Sequence, residues 1–369
     1  MLSRFGISEL LVAAILLLGF GLVMVYSASA ARAEVVFGTS FAYLGRQTLA
    51  LLIGLGIGAL CFFTPLPWLE RLGYAAWALS VVALIATFSP FGVGENGARR
   101  WVMISGIPFQ PLEPAKLGVI FGISQWLASH QDRMQDYRVS IAVPALLAGV
   151  PALLLLLQPD FGGAMLILIF TGVLIFAGGA RLDHLGSTLA VVVPLALLVM
   201  GLREYRVARL IAFLDPWADP LGRGYQLVQS QLAFGAGGLF GAGFGAGQQK
   251  LFFLPEAHND FILSVVGEEV GLVGVAAVLL GFAVLTLSAL GIAQRAKTPF
   301  ATLLAVGASL LLWLQALLNS GVAMGLLPTK GSTLPLVSYG GTSLIASLAA
   351  IGLILNAAKP SKRGRAGWR

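Results

Sequence analysis

The sequence predicts an all-α polytopic membrane protein of about ten transmembrane helices, with one large loop between the seventh and the eighth. Three observations point there. Hydrophobic residues make up 58% of the 369 positions and charged ones only 11%, roughly half the charged share of a soluble globule. Apolar runs of about 17 to 25 residues recur along the chain. Those runs do not alternate in the way of the roughly ten-residue strands of a transmembrane β-barrel.

The first run, 8–28, follows Arg4 and ends in the small residues 27–30, as a secretory signal would. It is nearer the length of a full span than of a cleaved core, and more spans follow, so it reads as an uncleaved first helix. The next runs are 46–63, 70–88, 113–129, 139–157, 162–179 and 185–201. The eighth, 261–292, is long for one helix and is expected to tilt or to project beyond the bilayer. Runs 301–324 and 342–357 complete the set. Cys61, the only cysteine, lies inside a run, so the chain has no intrachain disulfide and no thiol metal cluster.

The basic tail, 358–369, with Lys359, Lys362, Arg363, Arg365 and Arg369, belongs in the cytoplasm by the positive-inside rule. Ten spans then put the N-terminus there too. Of the 23 Lys and Arg, 12 fall inside and 11 outside. The outer set includes Arg46, Arg99, Arg100, Lys116, Arg203, Arg206, Arg209, Arg223, Lys250 and Lys330. An outer face rich in cations suits an anionic ligand.

Two outer loops, 89–112 and 202–260, exceed ordinary connection lengths. Long loops on a rigid scaffold are where binding and catalysis concentrate. The glycine-rich part, 235–247, has neither GxGxxG nor GxxxxGK[ST] and no strand before it, so it reads as flexible or closely packed backbone rather than a nucleotide site. No nucleic-acid partner is expected. The chain shows no internal repeat, which counts against an inverted-repeat transporter.

Ionisable groups gather at the loop ends. In FLPEAHNDF, 253–261, Asp260 starts the eighth run. It either caps that helix or serves as a functional acid, and the two roles are compatible. His258 stands without a second histidine nearby, so a two-histidine metal site is not indicated. Glu268 and Glu269 would lie about 12 Å deeper on a continuous helix, where carboxylates need partners. In QPLEPAK, 110–116, Glu113 and Lys116 are spaced to share a helix face. With Asp160 of QPDFG, 158–162, they form either an ion-pair network or a substrate contact. Arg99 and Arg100 stand beside Trp101, as a phosphate clamp or an interfacial girdle. Lys330 and Ser338 lie in the turn-rich segment LPTKGSTLPLVSYGG, 327–341.

With these motifs in this order, together with MVYSAS at 24–29, NGARRW at 96–101, GYQLVQSQLAFGAGGLFG at 224–241 and GEEVGLVG at 267–274, the chain resembles the SEDS family over nearly its whole length. These are polytopic peptidoglycan glycosyltransferases. NGARRW, PEAH, GEE and LPTKG are more similar to its division branch than to its elongation branch. Asn259 stands where the family usually has Thr, and Pro114 replaces an aliphatic residue. The resemblance implies a SEDS fold, GT-C-like, in the cytoplasmic (inner) membrane with both termini cytoplasmic, and at the division septum if the division branch holds. It implies polymerisation of lipid II into glycan strands, with inversion at C1 and release of undecaprenyl pyrophosphate. Asp260 matches the family's indispensable acid. Arg46, Arg99, Arg100, Lys116 and Lys330 are the expected diphosphate contacts, and Glu113, Asp160, Gln226, Gln229, His258 and Ser338 the further substrate-binding candidates. The implied partners are a class B penicillin-binding transpeptidase and other divisome membrane proteins. A divalent cation, magnesium or manganese, is the one candidate cofactor, and no ligand set for it can be read.

The chemistry is coherent by itself. A glycosidase needs two carboxylates because its leaving alcohol needs a proton. A diphosphate leaves as a stable anion, so cations replace the acid and one general base remains to be supplied. Two other readings stay open: a lipid II flippase, for which Glu268 and Glu269 are the main argument, and a scaffold using small-residue spacings such as Gly54 and Gly58.

Overall fold

A computed structural model describes residues 6–95, 98–104 and 106–359. Arg4, the Asn96-Gly97 pair and the basic residues beyond Lys359 lie outside them.

Each expected run is helical. The order is α1 (Ile7–Phe37), α2 (Ala42–Phe63), the short α3 (Leu66–Arg71), α4 (Gly73–Ala86), α5 (Leu112–Ser129), α6 (Val143–Leu157), α7 (Phe161–Ala177) and α8 (Leu182–Gly201). There follow α9 (Glu204–Leu214), α10 (Tyr225–Gly237), α11 (Ile262–Glu269), α12 (Gly271–Arg295), α13 (Pro299–Ala323) and α14 (Gly341–Ala357). Among the described residues, six helical stretches are long and apolar enough to cross a membrane by themselves, and α4, α7 and α14 are shorter apolar helices. The protein is a multi-pass membrane protein. Helix α5 is the exception in chemistry, because it carries a buried Glu and a buried Lys in its first turns.

The core lies where α13 packs against α5, α12 and α14. In a bilayer, apolar side chains gain little by leaving lipid, so small residues that let backbones approach dominate helix contacts. The Gly54 and Gly58 spacing does this within the chain. A Cβ on Gly58 would stand 2.7 Å from the Leu348 carbonyl, and one on Gly352 of α14 would stand 2.2 Å from that of Gly58. The pair joins α2 to α14, so it is used up inside the fold. Helix α8 has no buried residue and sits at the periphery.

One expectation needs correction. The run 261–292 is two helices. Helix α11 ends at Glu269, and Gly271 has φ of 76°, a left-handed conformation that a side chain would resist. The loop 89–112, whose conformation was not assigned from the sequence, is folded. It holds an antiparallel meander of β1 (Gly92–Glu95), β2 (Ala98–Ile104) and β3 (Ile107–Phe109). Val102 pairs with Gly92 on one side and Phe109 on the other.

The loop 202–260 also folds. Helix α9 lies outside the bundle with no buried residue, while α10 packs on α11. The glycine-rich stretch is tied to the end of α11. Ala242 and Gly243 donate backbone N–H to the carbonyls of Glu268 and Glu269, at 2.8 and 3.0 Å. The Glu268 carboxylate accepts from the Gln248 amide at 2.7 Å, and Glu269 accepts from Lys250 at 2.6 Å and Ser27 at 2.8 Å. The two deep acids are thus structural partners, and the close backbone packing read from the glycines is what they hold.

Candidate functional site

The segment before α11 is a tight turn. Asn259, Asp260 and Phe261 all donate backbone N–H to the carbonyl of Glu256, at 3.0, 3.1 and 3.4 Å. Glu256 itself has φ of 55°, strain that its side chain helps to hold. Its carboxylate pairs with Arg32 at 3.2 Å and accepts from Asn259 Nδ2 at 2.6 Å. Leu254, Ala257 and Phe261 are buried and anchor the turn to the bundle. The side chain of Asn259 therefore serves the turn, and Phe261, not Asp260, stands at the cap position of α11.

Asp260 is half-buried in a crevice of about 290 Å³ lined by Arg209, Gln226, Phe261, Thr329, Lys330 and Gly331. Gly331 lets the backbone come close: a Cβ there would stand 2.8 Å from Asp260 Oδ2. Lys330 crosses α7, where a Cβ on Gly162 would meet its Cε at 2.4 Å. Its Nζ is buried with no hydrogen-bond partner among the described residues, although the residue as a whole keeps some exposure. Burial pushes the Lys330 ammonium down to about 8; Asp160 and Glu113 oppose this, while Lys116 and Arg100 add to it.

Behind Lys330 lies the second cluster. Lys116 Nζ donates to Glu113 Oε1 at 2.7 Å, both buried, and Gln315 Nε2 reaches the same oxygen at 3.4 Å. Asp160 caps α7, accepting from the Gly163 amide at 3.0 Å. The expected three-membered network is therefore a direct pair plus a neighbouring cap that acts on both lysines through space. Arg100 donates to the Pro159 carbonyl at 3.0 Å and fastens the meander to that corner. Its Nε is buried without a partner among the described residues.

The crevice thus gathers Asp260, Lys330 and Gln226, with Glu113, Lys116, Asp160 and Arg100 behind it. Five candidates lie elsewhere. His258 points to the other side of the turn, packed on Tyr43 and Tyr339 with ring centroids 4.7 and 5.6 Å away. Burial pushes it down to about 4, with Glu256 opposing and Arg32 assisting, so it is neutral near pH 7. It lines a second crevice of about 460 Å³ with Arg32 and Lys250. Ser338 is buried and accepts from the Leu334 amide at 2.8 Å, shaping its own loop. Arg46 sits over Phe37 at 4.6 Å, and Arg99 is exposed on β2. Gln229 sits half-buried on α10, beyond the crevice lining. Arg209 and Thr329 line the crevice although neither stood among the site candidates. The signal for Arg209 was the three-residue spacing of Arg203, Arg206 and Arg209 on an amphipathic helix.

Among the described residues lining the crevice, Asp260 is the only carboxylate. No group of three or more His, Cys, Asp or Glu that would hold a metal ion occurs among the described residues, and the nearest charges to Asp260 in the crevice are cations. The lysine and arginine of that lining suit an anion. A carboxylate in a crevice also lined by a lysine and an arginine can accept a proton while an adjacent anion forms.

Fold and site define a polytopic helical membrane protein whose reactive groups stand where loops meet helix ends. Residues 8–363 match the FtsW, RodA and SpoVE family, described as "Cell cycle protein", and the chain belongs to that family. It is 44% identical over 351 residues, 94% of this chain and 88% of the other, to a probable peptidoglycan glycosyltransferase FtsW of Thioalkalivibrio sp. (strain K90mix). It is 41% identical to one of Geobacter sp. (strain M18), covering 94% of this chain and 95% of that one. Among solved structures, one chain of a peptidoglycan synthase complex that coordinates polymerization and crosslinking superposes with a TM-score of 0.77, at 33% identity over 96% of this chain and 97% of that one. The rod shape determining protein RodA of Thermus thermophilus gives 0.69, at 31% identity over 95% of both.

Proposed function

We propose that this chain is a peptidoglycan glycosyltransferase that polymerises lipid II during cell division, with Asp260 as its general base. The observation that carries the site assignment is the crevice whose lining brings together one carboxylate, Lys330 and Arg209. The relatives bearing the name peptidoglycan glycosyltransferase FtsW support both the activity and the division role.

The reaction then balances simply. The 4-hydroxyl of an acceptor GlcNAc gives its proton to Asp260. Its oxygen bonds to C1 of the donor MurNAc from the face opposite the phosphate, so C1 inverts. The C1–O bond to phosphate breaks, and its electron pair leaves with undecaprenyl pyrophosphate. Lys330 and Arg209 meet the charge that develops there, and Arg100 and Lys116 reinforce the field from behind. A carboxylate is a weak base at neutral pH, so it takes the proton late, as the hydroxyl becomes acidic on bond formation. Both substrates are held in one membrane plane, which brings the sugars to the level of Asp260.

In this reading the loops 89–112 and 202–260 face the extracytoplasmic side, and the tail 358–369 lies in the cytoplasm beneath the inner membrane. The polymerization and crosslinking complex among the structural neighbours supports a transpeptidase partner of the class B penicillin-binding type. The flippase reading loses its main argument, because Glu268 and Glu269 are taken up by backbone amides, Ser27 and Lys250.

The test is purified protein with labelled lipid II in detergent, where no sidedness exists. Polymer is expected from the parent chain and none from Asp260→Ala. Equal polymer from both would refute the assigned base.

A further inference from the structure

The two walls of the crevice come from different parts of the chain. Asp260 stands on the turn before α11, whereas Lys330 and Gly331 belong to the loop between α13 and α14. Something must fix how far apart they stand. The loop is tied on one side by Leu326 and Leu327, which donate to the Gly321 carbonyl at 2.7 and 3.1 Å. On the other, Thr333 donates to Ser343 at 2.7 Å. Between these ties lies Asn319, on the last turns of α13 and 1% exposed. Its Nδ2 donates one hydrogen to the Asp260 carbonyl at 2.7 Å and the other to the Ser332 carbonyl.

Both partners are carbonyl oxygens, so the amide can face them only through its nitrogen. Its Oδ1 is buried with no partner among the described residues, which leaves the side chain's contribution with the NH₂ group. The requirement is strict: one short side chain whose terminal nitrogen supplies two hydrogens to two backbone carbonyls from separate segments. Aspartate would set a carboxylate against two carbonyl oxygens, serine would serve one of them, and alanine neither. The bond to Ser332 holds the residue next to Gly331, whose Cα lies so close to Asp260 that no Cβ fits without contact at 2.8 Å.

We propose that Asn319 is a positioning residue for this site: its carboxamide clamps the Asp260 turn to the Lys330 loop and sets the spacing between carboxylate and cation. The inference rests on the reading of Asp260 and Lys330 given above. Asn319 does not touch the reacting groups. It acts through the backbone of Asp260 and of the residue after Gly331. One turn earlier on the same helix, Gln315 makes the corresponding contact to Glu113, so α13 presents two amides, one to each charged cluster.

The test has a kinetic arm and a geometric one, both on the full-length chain in the folded fraction from gel filtration. In lipid II polymerisation Asn319→Ala is expected to lower kcat about 100-fold, the cost of misplacing a reacting group by ~1 Å, with KM little changed. Asn319→Ser, which keeps one donor, is expected to recover part of that loss. For the geometric arm, Asp260→Cys and Gly331→Cys are combined with Cys61→Ser, and disulfide formation reports the approach of the two walls. Adding Asn319→Ala is expected to slow it about tenfold, since the loop then samples wider positions. Unchanged cross-linking, an unaltered kcat, or a rise in KM alone would overturn the clamp. Full activity in Asp260→Ala would overturn the base assignment and this inference with it. Unchanged cross-linking beside an inactive Asp260→Ala would overturn the clamp alone.

Discussion

Gly331→Ala is the mildest substitution that should disturb the chemistry without disturbing the fold. The new Cβ would stand 2.8 Å from Asp260 Oδ2 and 3.6 Å from its Cγ, whereas ordinary contact begins at 3.4 Å. About 0.6 Å must be found, and the carboxylate is the softer of the two groups because it is the far end of a side chain. Gly331 is exposed and its φ lies outside the left-handed range, so the backbone accepts alanine. Stability should change by less than about 1 kcal/mol. A misplacement of ~1 Å costs about 100-fold, so ~0.6 Å should lower kcat about tenfold, or ~1.4 kcal/mol of barrier. Initial rates of lipid II polymerisation, with thermal unfolding of the same samples, measure both quantities. Gly235→Ala on α10 is the control: a Cβ there meets nothing within 4 Å, so helix propensity should add ~1 kcal/mol of stability and leave the rate alone. A Gly331→Ala enzyme with the parent's kcat would refute the placement of Asp260 against this loop.

Lys330 is protonated below about 8, so kcat/KM should fall as pH rises through that value, and Lys330→Arg should remove the alkaline limb; a limb unmoved by the arginine would exclude Lys330 as its source. The sign for stability is opposite. Its pKa in the folded protein is depressed from 10.5 to about 8, so the unfolded chain binds more protons between those values and stability rises with pH there. Lys116→Met leaves Glu113 buried and unpaired, and should cost about 3–5 kcal/mol in detergent unfolding, with Glu113→Gln added to it recovering a good part. Glu269→Gln weakens the bond to Lys250 and should speed proteolysis within 241–250, while proteolysis unchanged from the parent would contradict the structural role given to that acid.

The helices were legible because lipid imposes one requirement, continuous apolarity, and the runs meet it without ambiguity. The same uniformity hid the break at Gly271, since Val270 and Leu272 keep the run apolar on both sides of a glycine that twists the backbone. The meander went unread because its strands are short and two of them are rich in glycine and proline. The Asn-Gly pair between β1 and β2 was the available hairpin signal. In the site, Asp260 stood out as an acid at the edge of an apolar run. Lys330 and the Glu113–Lys116 pair stood out for the same reason. His258 and Ser338 share motifs with those residues, yet the turn sends His258 to the opposite side and Ser338 back onto its own loop. Asn319 was invisible, one of two amides in an apolar helix, and its meaning depends on two carbonyls 59 and 13 positions away.

The account depends on one carboxylate being enough when a diphosphate departs. Asp260→Asn keeps the size and hydrogen-bonding reach of the side chain and removes its basicity, so it isolates that point. Single-turnover transfer from labelled lipid II by the purified chain should be abolished in Asp260→Asn while binding of lipid II persists. Transfer by Asp260→Asn at the parent's rate would place the base elsewhere and contradict the mechanism.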